Sequence, residues 1–324
     1  MADSDPVDHD QAEPSDISVA LDVEQLDLNL YRSRNLFTPY EARGVFGGQV
    51  ISQALVAATK CVKPEFLLHS LHAYFILSAS ASVPLLYYVD RLRDGRSYST
   101  RSVRAMQGGR VVFVMLCSFQ VPEVWQPSRH WPMPQVPRPE DCENEVDYIR
   151  RIASQPSTPK EFRARLLGHA KSREESPISV KPAGIIANKS EGRSTHAYWM
   201  KAKMAKQHPA AFQKCILAYI TDLHLLSSAV HTAGMRRHAP PGPKALAMAS
   251  SLDHSLCFYN NNFDCGDWLL YIMTSPVAGM GRAVASGLLY SADGTLLATV
   301  NQEGVVRANI RRPSEETPQV KAKM

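Results

Sequence analysis

The most constraining feature of this sequence is a repeat, because the pattern of its first half recurs in its second half. In each half, a run rich in Ala and Leu with the spacing of a buried helix, at 50–62 and at 210–230, precedes a series of strand-like runs. These runs are rich in Val, Tyr, Phe and Thr, and turn signals such as Asp94-Gly95 separate them. The pattern predicts an α+β fold made of two copies of a helix followed by an antiparallel meander.

The composition is that of a globular protein, with 44% hydrophobic and 21% charged residues among 324. The net charge of +5, from 36 Lys and Arg against 31 Asp and Glu, is too small and too evenly spread to indicate a nucleic-acid partner. No run of about 18 apolar residues occurs, which excludes a membrane-spanning helix. The six cysteines form no C-x-x-C pair and have no zinc spacing, so we expect reduced, buried thiols and no metal site.

Shifts in composition divide the chain into five segments. Residues 1–17 are acidic and contain proline but no apolar run, which predicts a disordered tail and no secretory signal. The first repeat occupies 18–122, and the second occupies 194–312. The intervening segment, 123–193, is predicted to be a linker with short helices and little core of its own, because a Pro-rich stretch precedes short charged runs. Residues 313–324 are predicted to form a flexible tail.

Several motifs of known chemistry are missing or incomplete. Gly279-Met280-Gly281 begins like a dinucleotide fingerprint, but its third glycine is missing and a strand-like run follows, so no helix N-terminus would hold a pyrophosphate. The sequence has no G-x-S-x-G nucleophile elbow, no P-loop and no H-E-x-x-H motif. We therefore expect no dinucleotide cofactor and no metal.

Six arginines cluster in the meander of the first repeat. We favour a solvated face of a half-exposed sheet, and a patch that contacts the phosphates of an anionic ligand is the alternative. The cluster consists of Arg91, Arg93, Arg96, Arg101, Arg104 and Arg110.

Two polar residues of the second repeat stand in apolar surroundings. Asp222 lies in CILAYITDLHLL, within the predicted core helix, and Gln302 follows LLATVN near the end of a predicted strand. A buried carboxylate is costly unless it is hydrogen-bonded or used. Two alternatives stay open, since Asp222 could share a solvent-facing stripe with Gln213, and Gln302 could be an ordinary strand-end residue. The histidines at 69, 72, 224 and 254 are interpreted as structural.

The chain contains, in this order, RGVFGGQVISQALVAA, LLHSLHAYF, YYVDRLRDGRSYSTRSVRAMQGG and VNQEGVVR. Together these segments resemble the acyl-CoA thioesterase II family, over 31–120 and 195–307. The resemblance implies a double hotdog fold, in which each of two tandem units wraps an antiparallel sheet around a long central helix. It also implies hydrolysis of acyl-CoA in lipid and fatty-acid metabolism, and a homo-oligomer. The sequence departs from the family at ILSASASVP, where relatives have a Pro-Gly turn, and this loop could alter acyl-chain selection.

The resemblance further implies a catalytic site made of an acid, a hydroxyl and an amide. The acid falls on Asp222 and the amide on Gln302. The hydroxyl falls on Ser251, with Ser250 as the neighbour that could be mistaken for it. A water activated by these side chains would attack the thioester. In the first repeat the position equivalent to Asp222 falls near Gln53, where no acid stands, so we expect the second repeat alone to be catalytic.

Three other functions are kept as alternatives. The same site would serve a thioesterase of a secondary-metabolite pathway. A hotdog enoyl-CoA hydratase is disfavoured because the G-D-x-N-P-x-H pattern of such enzymes is absent. A non-catalytic acyl-CoA binder is disfavoured because all three side-chain types of the site are present.

The last three residues, Ala322, Lys323 and Met324, form a variant of the S-K-L peroxisomal signal. We expect a peroxisomal import receptor to bind them. The protein would then be in the peroxisome, or in the cytoplasm if the signal is not read. An ordinary basic terminus is the alternative.

Overall fold

The structure is a computed structural model that describes residues 15–188, 193–236 and 242–310. The predicted C-terminal tail 313–324, with its targeting signal, lies outside these ranges. So does 1–14 of the predicted acidic tail.

The first repeat is a long helix packed against an antiparallel sheet. Its elements are α1 (Ile17–Ala20), β1 (Val23–Asp27), β2 (Leu30–Ser33), α2 (Gly47–Thr59), β3 (Leu67–Phe75), β4 (Leu86–Asp94), β5 (Tyr98–Gln107) and β6 (Arg110–Gln120). The strands lie in the order β1-β2-β4-β5-β6-β3, and each neighbouring pair is antiparallel. Ile17 is fully buried at the start of α1, so the prediction of a disordered tail 1–17 is wrong at its last residue.

The second repeat has the same arrangement of central helix and sheet. The connecting segment contains α3 (Glu145–Ser154) and α4 (Lys160–Glu175). The second repeat comprises β7 (Ile178–Asn188), β8 (Arg193–Ala202), α5 (Ala210–Asp222), α6 (Leu225–Thr232), β9 (Gly242–Ser251), β10 (Asp253–Phe258), β11 (Leu269–Gly279), β12 (Arg282–Tyr290) and β13 (Leu296–Asn309). The strand order is β10-β13-β12-β11-β8-β7, and β9 also pairs with β13.

The predicted linker 123–193 contains part of the second sheet. Strand β7 lies within this segment and pairs with β8 from Ile178 to its end. Ile178 and Val180 are buried in the hydrophobic core. The interpretation of 123–193 as a linker with little core is therefore wrong for its last part, and the second repeat begins before residue 194.

The central helices are buried on all sides. Every residue of α2 from Gly48 to Ala58 is buried, because its many small side chains let α5 and the sheet approach closely. Two glutamines in this helix are hydrogen-bonded, as burial requires. Gln49 and Gln53 both donate to the carbonyl oxygen of Ala20, and Gln53 also accepts from the Tyr87 hydroxyl.

Strands β3 and β10 join the two repeats into one continuous sheet. They pair antiparallel, with His72 opposite Ser255. Most of the buried apolar side chains of both repeats share one large hydrophobic core, and α2 packs against α5 within it. The repeats are thus halves of a single packed unit, and a site at their junction can draw residues from both.

Tyr271, on β11, holds the end of α5. Its hydroxyl donates to the carbonyl oxygen of Thr221 over 2.8 Å. Gly287, on β12, makes room for the ring, since a Cβ there would lie 2.4 Å from Tyr271 Cε2 and 2.8 Å from Val300 Cγ1. The lack of a side chain at Gly287 therefore helps to fix the position of Asp222, the next residue of the helix.

Gly287→Ala is expected to lower the free energy of unfolding by about 1–3 kcal/mol, because the added methyl forces the Tyr271 ring or the backbone to move. Thermal unfolding followed by circular dichroism measures this loss. The matched control is Gly279→Ala, in β11, where a Cβ would meet nothing within 4 Å. Equal melting temperatures for the two variants would contradict the packing argument.

Candidate active site

Asp222 is the last residue of α5, and its half-buried carboxylate lies against the start of α2 from the other repeat. The backbone N–H of Gly48 donates a hydrogen bond to it. A Cβ at Gly47 would lie only 2.8 Å from Asp222 Oδ2, so glycine is needed for this close approach. The first amides of a helix carry partial positive charge, which stabilises a carboxylate placed there.

Gln302, on β13, joins the carboxylate to a hydroxyl. It is 1% exposed, and its Nε2 donates to Asp222 Oδ1 over 2.7 Å and to Ser251 Oγ over 2.7 Å. An ionised carboxylate can only accept hydrogen bonds, which fixes the amide with its nitrogen toward Asp222. Both amide hydrogens are thereby used. Gln302 Oε1 is buried and accepts no hydrogen bond from the described residues.

Ser251 ends β9 opposite Gly304, where the chain bends before β10. The bend is fixed by Leu252, whose N–H donates to the carbonyl oxygen of Glu303 over 2.9 Å. Because the Ser251 hydroxyl accepts from Gln302, its own hydrogen is free to be donated elsewhere. Ser250 is exposed and pairs with Val305, so its side chain points to the other face of the strand.

The three residues predicted for the site are therefore brought together. Burial raises the pKa of the Asp222 carboxyl, while the hydrogen bonds from Gln302 and Gly48 act in the opposite direction. A carboxylate with a raised pKa is a stronger base than an ordinary aspartate. The arrangement is thus a base flanked by a fixed amide and a hydroxyl that can donate.

The histidines near the site take structural positions. His254 is fully buried, its Nε2 lies 2.9 Å from Thr221 Oγ1, and burial lowers its pKa to about 3, so it is neutral. His69 Nε2 lies 2.8 Å from Ser118 Oγ in the first repeat. Among the described residues, no three His, Cys, Asp or Glu side chains are grouped so that they could hold a metal ion.

The first repeat lacks this constellation. The last residue of α2 is Thr59, so Thr59, and not Gln53 as the sequence suggested, corresponds to Asp222. Gln302 pairs with Ala285 across β12 and β13, and the corresponding pair in the first sheet is Cys117 with Arg101.

Arg101 also corrects one interpretation of the arginine cluster. Its side chain is 1% exposed, its Nε and Nη2 donate to the carbonyl oxygen of Cys61, and it forms an ion pair with Asp94. The other five arginines are exposed, in agreement with a solvated face. Arg101 is instead a buried structural cation at the place where the second repeat has its candidate site.

The Gly47-Gly48 pair stands in the segment RGVFGGQVISQALVAA, at the start of the predicted helix. The structure gives the pair a role in the candidate site, since α2 begins there and the Asp222 carboxylate lies against it. Phe75 also borders this point, because a Cβ at Gly47 would lie 2.9 Å from its Cζ. A glycine pair directly before a buried helix was the available signal.

Family models match both repeats. A model described as the acyl-CoA thioesterase N-terminal domain matches 38–120, and one described as the acyl-CoA thioesterase C-terminal domain matches 139–306. Together they cover most of the chain, and the second begins in the connecting segment.

Curated relatives align over most of the chain. It is 33% identical over 296 residues to acyl-coenzyme A thioesterase 8 of Mus musculus, covering 90% of this chain and 88% of that protein. It is 32% identical over 290 residues to acyl-CoA thioesterase 2 of Haemophilus influenzae, and the alignment covers 89% of this chain and 95% of that protein. Peroxisomal acyl-coenzyme A thioester hydrolase 1 of Saccharomyces cerevisiae is 22% identical over 313 residues, and the alignment covers 83% of this chain and 87% of that protein.

Solved structures share the architecture. An acyl-CoA thioesterase II, TesB2, from Mycobacterium marinum has a TM-score of 0.71 at 33% identity and covers 92% of this chain and 99% of its own. A protein with a hot dog fold from Alicyclobacillus acidocaldarius has a TM-score of 0.64 at 20% identity and covers 90% of this chain and 98% of its own. At this identity, the likeness shows the fold alone. The predicted double hotdog fold is confirmed.

Proposed function

Because this chain belongs to the acyl-CoA thioesterase II family and hydrolyses acyl-CoA thioesters, we propose that Asp222, Ser251 and Gln302 activate the attacking water. The observation that carries this proposal is the double donation from Gln302 Nε2, which holds a carboxylate and a hydroxyl on one amide. Among the described residues, no histidine forms a hydrogen bond with either group, so a water is the nucleophile that this geometry suits.

Asp222 is the general base in this mechanism. As the water oxygen forms its bond to the thioester carbonyl carbon, one water proton passes to the carboxylate. The tetrahedral intermediate then collapses, the carbon–sulfur bond breaks, and Asp222 returns the proton to the departing thiolate. The products are a carboxylic acid and the free thiol of coenzyme A. The raised pKa of Asp222 suits it to accept and return a proton.

Ser251 and Gln302 orient the water. Gln302 Oε1, the buried acceptor, takes the second water hydrogen, while the Ser251 hydroxyl donates to one lone pair of the water oxygen. The other lone pair is left to attack the carbonyl carbon. Such positioning supplies much of the rate advantage of a bound nucleophile. At the start of α2, the Gly48 N–H donates to Asp222 and the Gln49 N–H donates to the carbonyl oxygen of Phe46, which leaves the Gly47 N–H as the candidate to stabilise the oxyanion.

Fatty-acid oxidation and secondary metabolism are the two alternatives for the pathway, and they differ in the acyl group that is hydrolysed. The expectation of a homo-oligomer rests on the resemblance alone and stays a prediction. A hydratase would release no thiol from its substrate, and neither would a binder. A thiol-release assay on acyl-CoAs of increasing chain length therefore tests the class and the specificity together.

Asp222→Asn is expected to lower kcat for thiol release by about 10²–10⁴, because the amide cannot accept the proton. Its melting temperature at neutral pH should be at or above that of the wild type. The reason is that the raised pKa means the folded state disfavours the ionised carboxylate above that pKa. Wild-type turnover in a folded Asp222→Asn variant would contradict the mechanism.

Ser251→Ala and Ser250→Ala form a matched pair of controls. Ser251→Ala should reduce kcat, since it removes the donor to the water, whereas Ser250→Ala should leave kcat unchanged because that side chain is exposed on the other face. Equal losses in the two serine variants would argue against the assigned hydroxyl.

We further propose that the protein is peroxisomal and that Ala322, Lys323 and Met324 bind the import receptor. The proposal is supported by the name of the yeast relative and by the match of the tripeptide to the S-K-L pattern. A fluorescent protein fused before residue 1 should co-localise with a peroxisomal marker, and deletion of 322–324 should disperse it into the cytoplasm. Peroxisomal fluorescence that survives the deletion would contradict the role of the tripeptide.

A further inference from the structure

The chain turns sharply just after Asp222, and one residue of the turn has an unfavourable backbone conformation. Helix α5 ends at Asp222 and α6 begins at Leu225. His224, between them, has φ 61° and ψ −10°, in the left-handed region. This conformation is unfavourable for a histidine because its Cβ crowds a backbone carbonyl oxygen. Contacts of the His224 side chain must therefore hold the turn in place.

The His224 ring is held from two directions. It stacks on the ring of Tyr198, from β8, with centroids 4.8 Å apart and an interplanar angle of 2°. Its Nε2 lies 2.9 Å from Glu145 Oε1. Glu145 is the first residue of α3, in the segment that connects the two repeats. The turn that carries Asp222 is thus tied to the connecting segment by the contact between His224 Nε2 and the Glu145 carboxylate.

Glu145 is an unusual residue for a connecting segment, because its carboxylate is buried between a histidine ring and a guanidinium group. It is 7% exposed, and its Oε2 accepts from Arg173 Nε, in α4, over 2.8 Å. Burial alone would raise the pKa of Glu145, but His224 and Arg173 outweigh it and hold the pKa well below its usual range. The carboxylate therefore stays ionised, and removing it would leave the Arg173 guanidinium and His224 Nε2 without their shared partner.

The same helical pair also contacts the other side of the site. Gly168, in α4, makes room for the Tyr40 ring, since a Cβ there would lie 2.5 Å from Tyr40 Cζ. Arg165 Nε lies 3.4 Å from Glu41 Oε1. Tyr40 and Glu41 belong to the loop that leads to Gly47 at the start of α2, beside Asp222. Helices α3 and α4 thus contact the segments that carry both sides of the candidate site.

We propose that α3 and α4 form a clamp on the active site, with Glu145 as a positioning residue that holds the Asp222 turn through His224. The inference rests on the proposed role of Asp222. The clamp keeps the carboxylate at the distance from Gln302 and from the start of α2 that water activation needs. Through Glu145, the connecting segment then positions the candidate site as well as tethering the two repeats.

A second ion pair between the same helices offers a matched control. Arg150 Nη2, in α3, lies 2.6 Å from Glu174 Oε2, in α4, but both side chains are exposed, at 46% and 54%. The side-chain hydrogen bonds of this pair join Arg150 and Glu174 to each other, away from Glu145 and His224. An exposed pair of this kind contributes little to stability because water and salt screen it. Glu174→Gln therefore removes a carboxylate from the same helical pair without disturbing the clamp.

The test measures kcat, KM and melting temperature for Glu145→Gln, His224→Asn and the double variant, with Glu174→Gln as the control and Asp222→Asn as the reference. Asparagine tolerates the left-handed conformation, but its shorter side chain lacks the ring nitrogen that contacts Glu145. Each single variant should lower kcat by about 10–100-fold through misplacement of the carboxylate, with KM changed by no more than about twofold. The double variant should lose no more kcat than the more impaired of the two single variants, because both changes remove the same contact.

Glu174→Gln should have wild-type kcat. Wild-type kcat in folded Glu145→Gln, or losses that multiply in the double variant, would overturn the clamp. If Glu145→Gln does not fold, His224→Asn decides: reduced kcat with a near wild-type melting temperature supports the clamp, and wild-type kcat refutes it. Turnover that persists in Asp222→Asn would instead refute the proposed function, so the two failures are distinguishable.

Discussion

The candidate site depends on one amide. Gln302 donates both of its hydrogens, to a carboxylate at the end of a helix and to a hydroxyl at the end of a strand, so these two groups keep a fixed separation. The amide itself is fixed because it lies in the middle of β13 and is buried. This explains how three residues far apart in the chain, Asp222, Ser251 and Gln302, are held together in one hydrogen-bonded cluster. It also leaves Gln302 Oε1 as a buried acceptor beside the base.

The site further requires both repeats, although all three side chains come from the second. The carboxylate of Asp222 lies at the start of α2, where Gly47 and Gly48 allow it to approach and Gly48 donates to it. The equivalent position in the first repeat, at the end of α2, is Thr59, which has no carboxylate. Duplication thus supplied two equivalent positions, and only one of them has the acid. The other position contains a buried arginine, Arg101, in a structural role.

Much of the fold was predictable because hydrophobic periodicity repeats along the chain. The site was predictable in part, since Asp222 and Gln302 are polar residues in apolar runs, whereas Ser251 came from the family resemblance. Strand β7 was missed because it contains Pro182 and Gly184, which favour loops. Both are tolerated because β7 pairs only with β8 in the described structure and its pairing register shifts between these two residues.

The contacts of Glu145 and of Arg101 could not be predicted, because their partners lie far away in sequence and only the folded chain brings them together.

The most direct test of the account is a single turnover in ¹⁸O-labelled water, with mass spectrometry of the released acid and of the peptide that contains Asp222. General-base catalysis predicts ¹⁸O in the acid and none in Asp222. Label in the Asp222 carboxylate with unlabelled acid would contradict the account, because it would mean that Asp222 attacks the thioester itself.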